Sequence, residues 1–115
     1  MKAIVRTFVA VILLMMMTNF QIIKTQLAVT IRDELGNTVE GAKVTLFEKE
    51  EDYNNETNPV MDGATDAKGV VKFRELKAIS YFVLARKGDK DNAGGGEQTG
   101  KLEANRINKV TIVIQ

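Results

Sequence analysis

The side chains in this sequence best suited to chemistry are carboxylates. Asp33 stands in the polar run Asp33-Glu34-Leu35-Gly36-Asn37, Asp66 opens Asp66-Ala67-Lys68-Gly69, and Asp89 and Asp91 lie in the glycine-rich stretch 86–100. Loop carboxylates suit calcium, a hard cation that takes several oxygen ligands. The helix–loop–helix calcium spacing is not met, because Ala93 interrupts it after Asp89, Asp91 and Asn92. If loops 33–37, 66–69 and 86–100 emerge at one end of a strand alternation, Asp33, Glu34, Asp66, Asp89 and Asp91 meet there. Lys68, Lys87 and Lys90 stand among them, so a solvated rim of mixed charge is expected. Asp33, Asp66, Asp89 and Asp91 are therefore the metal candidates and calcium the candidate ion, with no cofactor otherwise expected.

Paired carboxylates also do glycosidic acid–base work, but here they are loop residues without an aromatic cleft. The chain has five phenylalanines, two tyrosines and no tryptophan, and Phe73 and Tyr81 are expected in the core. There is no cysteine and no histidine. That excludes a disulfide framework, a thiolate zinc site, a catalytic thiol, an imidazole base and an imidazole metal ligand. No catalytic residue is assigned, and the chain is read as a non-enzyme.

Two further stretches carry a functional reading beside a structural one. Gly95–Leu102 nearly fits the phosphate loop G-x-x-x-x-G-K-[ST], but Leu102 stands where the magnesium-binding hydroxyl belongs, and no helix follows. A mobile glycine-rich loop is the expectation there. The acidic run Glu48–Asp52 leads into Tyr53, Asn54 and Asn55, read as an interaction loop with Tyr53 as its amphipathic anchor. Asn55-Glu56-Thr57 is a glycosylation triplet, meaningful only in a eukaryotic secretory pathway. With 16 basic and 15 acidic residues, the chain lacks the clustered positive charge of a nucleic-acid binder.

The elements that would carry these loops are read from apolar spacing. Lys2 and Arg6, then the apolar run Phe8–Met17, then Thr18 and Asn19 have the form of a secretory signal peptide. The run is short of the ~20 residues of a membrane span, so residues 1–25 are expected to direct export, retention as an anchor being the alternative. No Ala-x-Ala site follows, and cleavage is placed between Thr18 and Gln26. The same missing cysteines fit a bacterial exported domain better than a small eukaryotic one. From Leu27 onward the apolar period is two, the mark of half-buried strands. Strands are expected at 27–32, 42–47, 60–65, 70–73, 81–85, 101–104 and 107–114, with 48–59 and 86–100 as loops. Seven such strands, each burying one face, make an all-β, seven-stranded antiparallel sandwich of immunoglobulin-like outline. The closing strand Ile107–Ile114 is a pairing edge if it lies at a sheet margin.

The stretch Val29–Leu46, VTIRDELGNTVEGAKVTL, continued by Thr65-Asp66-Ala67-Lys68-Gly69-Val70-Val71-Lys72-Phe73, Leu76 and Tyr81-Phe82-Val83, resembles the carboxypeptidase regulatory-like domain. That domain is a prealbumin-like sandwich common in exported proteins of Bacteroidetes-type bacteria, and the likeness spans 27–115. The matching residues are turns and core, so the resemblance implies an architecture and an exported address. Two related chemistries fail residue by residue. Prealbumin-like hydroxyisourate hydrolases depend on histidines, which are absent. Collagen-adhesin B-type sandwiches join lysine to asparagine. Their lysine falls where Val29 and Ile31 stand and their acid where Ala85 stands, leaving only Asn108 to match. The expected function is binding or scaffolding at the bacterial envelope, in the periplasm, at the outer-membrane surface or outside the cell. The expected partner is an envelope protein or glycan, with no nucleic acid, and with membrane contact only through an uncleaved leader. The alternative is a carrier of a cation or small ligand at the acidic loop end.

Overall fold

The computed structural model describes residues 23–115, and the expected leader lies outside them but for its last three residues. Seven β segments and one short helix follow: β1 Gln26–Asp33, β2 Lys43–Phe47, α1 Glu50–Asn55, β3 Met61–Ala64, β4 Val70–Phe73, β5 Phe82–Lys87, β6 Lys90–Asp91 and β7 Ile107–Ile114. They form two sheets, ordered β4-β1-β7 and β3-β2-β5-β6. Period two holds because each strand lies between the core and the outside. Leu27, Val29 and Ile31 of β1 face Val44 and Leu46 of β2 and Val83 and Ala85 of β5 in one buried cluster.

Six of the seven expected strands are present. The segment 101–104 is not one of them: Leu102 is buried and its N–H donates to the Ile79 carbonyl, but its neighbours are exposed. The remaining β segment is the two-residue β6. The expectation of a wholly antiparallel sandwich is also corrected, since β7 runs parallel to β1, Gln26 to Asp33 beside Ile107 to Ile114. The reason is the connection. Residues 92–106 travel back along the sandwich from the β5–β6 end, so β7 starts beside the start of β1.

The crossing from β1 to β2 is held by Thr65 and Gly69. The Thr65 hydroxyl accepts from the Ala42 N–H (2.9 Å) and donates to the Val39 carbonyl (2.6 Å). Gly69 has φ +76°, and a Cβ there would lie 2.8 Å from the Thr38 Cβ and 3.0 Å from the Val39 nitrogen, so only glycine fits. β3 and β4, joined by the 65–69 turn, close one side of the sandwich. On the other side β7 and β6 are the sheet margins.

Candidate functional site

Loops 33–37 and 66–69 and the 88–89 turn share one end, since β4 pairs Val70 with Thr30 of β1 and β5 pairs Arg86 with Lys43 of β2. The rest of the expected loop 86–100 does not stay at that end, because 97–99 run back beside Tyr81 and Val83. The acids there do not gather. Asp33 Oδ1 accepts from the N–H groups of Asn37 (2.9 Å) and Leu35 (3.0 Å). Asp66 Oδ1 accepts from Lys68 (2.9 Å) and Val70 (3.0 Å), and Asp91 Oδ1 from Ala93 (3.0 Å). Each aspartate closes its own turn by bonding the backbone a few residues on. The Asn37 amide first, then the Leu35 amide, holds the Asp33 carboxyl below its ordinary range, and Val70 and Lys68 do the same for Asp66. Asp89 is exposed at the β5–β6 turn. Among the described residues, no three acidic side chains stand together as a cation site.

The segment 48–59 departs most from expectation. It is not an end loop: residues 50–55 form α1, which folds back over the outer face of the four-stranded sheet. Tyr53 is 2% exposed and packs with Phe47 of β2 and Phe82 and Leu84 of β5. Its ring meets Phe47 edge-on at 6.2 Å and Phe82 at 5.9 Å. The reading of Tyr53 as the amphipathic anchor of an interaction loop is therefore corrected, because Phe47, Phe82 and Leu84 on the outward phase of β2 and β5 are apolar and need a cover. Asn54 and Asn55 are exposed. Glu50, Glu51 and Asp52 suit the first turn of a helix. Glu56, at φ +52°, ends the helix, and its carboxylate takes a two-pronged contact from Arg86 at 2.8 and 3.4 Å. That contact lowers the Glu56 carboxyl below its ordinary range.

The glycine-rich stretch 86–100 is anchored at two buried polar residues, Asn92 and Thr99. Asn92 is buried, its Oδ1 accepting from the Ala85 N–H and its Nδ2 donating to the Val83 carbonyl, both at 2.8 Å. One side chain thus stands in for a neighbouring strand. Farther along, Val83 N–H donates to the Glu97 carbonyl, Thr99 N–H to the Tyr81 carbonyl, and Tyr81 N–H to the Thr99 hydroxyl. Residues 92–99 therefore continue β6 as an irregular margin along β5.

Between this margin and β7 runs a trough. Its lower part, about 370 Å³, is lined by Glu97–Gly100 and Val110–Ile112. Its upper part, about 320 Å³, lies between Asp91, Asn92 and Ala93 on one side and Val113 and Gln115 on the other, and Glu97 borders both. The trough ends where Asp91 and Gln115 exchange backbone hydrogen bonds of 3.2 and 3.1 Å. Exposed apolar side chains, Ile107 and Val113, lie on the same strand. An extended backbone beside unpaired strand groups is what such a place can hold. The sequence signal for it was the Val- and Ile-rich closing strand. The trough's opposite wall carried no signal, because Asn92 and Thr99 sit within a run that reads as solvent-exposed.

Asn108, left as the single match to a lysine–asparagine link, has a different task. Its side chain accepts from Glu103 N–H and donates to the carbonyls of Gln26, Glu103 and Arg106, fixing the turn before β7. Val29, Ile31 and Ala85, where the link's other partners would stand, are buried apolar residues. No helix among the described residues is long and apolar enough to cross a membrane.

No protein-family model matches the chain, and no curated protein matches it. Solved structures do. Part of the Bacillus anthracis TIE protein superposes with a TM-score of 0.54 at 25% identity, covering 80% of this chain and 17% of that one. BcpA, the major pilin subunit of Bacillus cereus, matches with a TM-score of 0.50 at 20% identity, over 79% of this chain and 29% of that one. A Klebsiella pneumoniae 5-hydroxyisourate hydrolase aligns with a TM-score of 0.47 at 19% identity, over 77% of this chain and 84% of that one. The chain spans less than a third of the TIE protein and of BcpA. What it shares with them is the two-sheet β-sandwich.

Proposed function

We propose that this chain is a non-enzymatic, exported binding or scaffolding module of the bacterial cell envelope, of the kind the carboxypeptidase regulatory-like domain provides. The observation that carries the reading is the sandwich itself, an architecture it has in common with segments of a pilin subunit and of the TIE protein. Two features support it. The signal-peptide pattern of residues 1–25 fits export, and Asp33, Asp66 and Asp91 are each engaged by their own turn. The partner would be an envelope protein or glycan, met on the open side of the sandwich. The alternative, a cation or small-ligand carrier at the Asp33, Asp66 and Asp89 end, has less support, because those side chains belong to separate turns.

Cell fractionation of the tagged full chain tests the reading. The expected result is recovery from the envelope or medium with the N-terminus cut between Thr18 and Gln26. Recovery of the intact chain from the cytosol would sink it.

A further inference from the structure

We infer that the free edge of β7 pairs antiparallel with β7 of a second copy, on a two-fold axis through Val110. The inference rests on the reading of the chain as a contact module and names its partner as itself.

Hydrogen-bond direction identifies the free groups. Gln26 N–H donates to the Arg106 carbonyl at 2.9 Å, so in this parallel pair the even-numbered residues of the β7 segment face β1. The N–H and C=O groups of Ile107, Lys109, Thr111 and Val113 then point away from β1. Gln115, the next odd position, points the same way and is taken by Asp91. Among the described residues, no strand pairs with β7 on that side. The other sheet margins are β4 and β3, four residues each, and β6, two residues. Among the described sheet margins only β7, with eight, is long enough to template a partner, and it carries no proline or bulge to discourage one.

The four free positions are symmetric about Val110, and an isologous contact requires that symmetry. With the axis there, Ile107 pairs with Val113 of the other copy and Lys109 with Thr111. Those are the bonded pairs of an antiparallel ladder, and they use every free group. The side chains agree. Ile107 and Val113, 47% and 41% exposed, face outward on the same side of the sheet and would lie against each other across the axis. Lys109 is the strand's single charge and meets the neutral Thr111, so no like charges oppose. A register shifted to centre on Thr111 would need Gln115, which Asp91 already holds. Val110, half-buried at the trough, would be covered by its own counterpart.

The test is symmetric cross-linking of the full chain, which has no cysteine of its own. At a non-bonded antiparallel pair the Cα atoms lie about 4.5 Å apart, within disulfide reach. Oxidised Val110→Cys is therefore expected to give a covalent dimer. Thr111→Cys is not, because its copies would lie beyond about 7 Å. Adding Thr111→Pro to Val110→Cys should abolish the cross-link without unfolding the chain, since the Thr111 N–H makes no bond within it. Should proline disturb folding, Val113→Lys at an exposed position is expected to give the same loss. Equal cross-linking of Val110→Cys and Thr111→Cys would overturn the pairing, as would a Val110→Cys chain that stays monomeric. A monomer recovered from the envelope leaves the module reading standing, whereas a cytosolic chain defeats that reading separately.

Discussion

The Tyr53 hydroxyl donates a 2.8 Å hydrogen bond to the main-chain carbonyl of Asn92, 39 positions away. The bond ties α1, on the outer face of the four-stranded sheet, to the segment that forms the wall of the trough. Burial raises the Tyr53 hydroxyl above its ordinary range and keeps it a donor. Two stretches that look like solvent-facing loops are thereby joined to each other and to β5.

Tyr53→Phe keeps the ring between Phe47 and Phe82 and removes only that donor. The expected loss is about 1 kcal/mol in denaturant unfolding. Tyr53→Ala also empties the outer cluster and should cost about 3–5 kcal/mol, the range for truncating a buried aromatic. Equal stability of all three chains would show that the helix does not dock.

Asn92→Ala leaves the Ala85 N–H and the Val83 carbonyl without partners, at about 1–3 kcal/mol for each unsatisfied group. Hydrogen exchange should rise at Ala85, which loses its acceptor, and at Val83, whose bond to Glu97 lies on the same margin. Protection unchanged at both amides would contradict the substitution of a side chain for a strand.

On the acid side, stability should decline as the turn carboxylates are protonated. The carboxyls of Asp33 and Asp66 sit below their ordinary value of 3.8 in the folded chain. Between that value and the lower folded one the unfolded chain binds more protons, so stability falls as pH falls through the window. Above it the full contribution is present. Thermal melts of the wild type against Asp33→Asn with Asp66→Asn, from acid to neutral pH, should show a shallower acid slope for the double variant. A decline already under way near neutrality would point to other groups.

Calcium at millimolar concentration is expected to leave the amide spectrum unchanged at 33–37, 66–70 and 89–93. The reason is that Asp33, Asp66 and Asp91 accept backbone hydrogen bonds in separate turns, and no three acidic side chains among the described residues stand together. Saturable shifts confined to those loops would revive the carrier reading.

The sandwich was legible because alternation is a strong signal. Val29, Ile31, Val44, Leu46 and Val83 repeat every second residue, and each is buried. The Asp33 and Asp66 turns were equally plain, since aspartate with glycine three positions on marks a reversal. What the sequence hid has physical reasons. A two-turn helix with one apolar residue, Tyr53, shows no stripe. The signal lay instead in Phe47, Phe82 and Leu84, apolar residues on the outward phase of their strands that required a cover. Asn92 and Thr99 look like loop polarity, and only their buried partners reveal otherwise. The parallel placement of β7 depends on the path of 92–106, which no local pattern records.

The most direct measurement of the central claim is native intact-mass spectrometry of the chain released from its host's envelope fraction. A mass beginning at one of residues 19–27, free of adducts and in equilibrium with twice that mass, is the expected result. A full-length mass found only in the cytosol, or one carrying a stoichiometric metal, would contradict it.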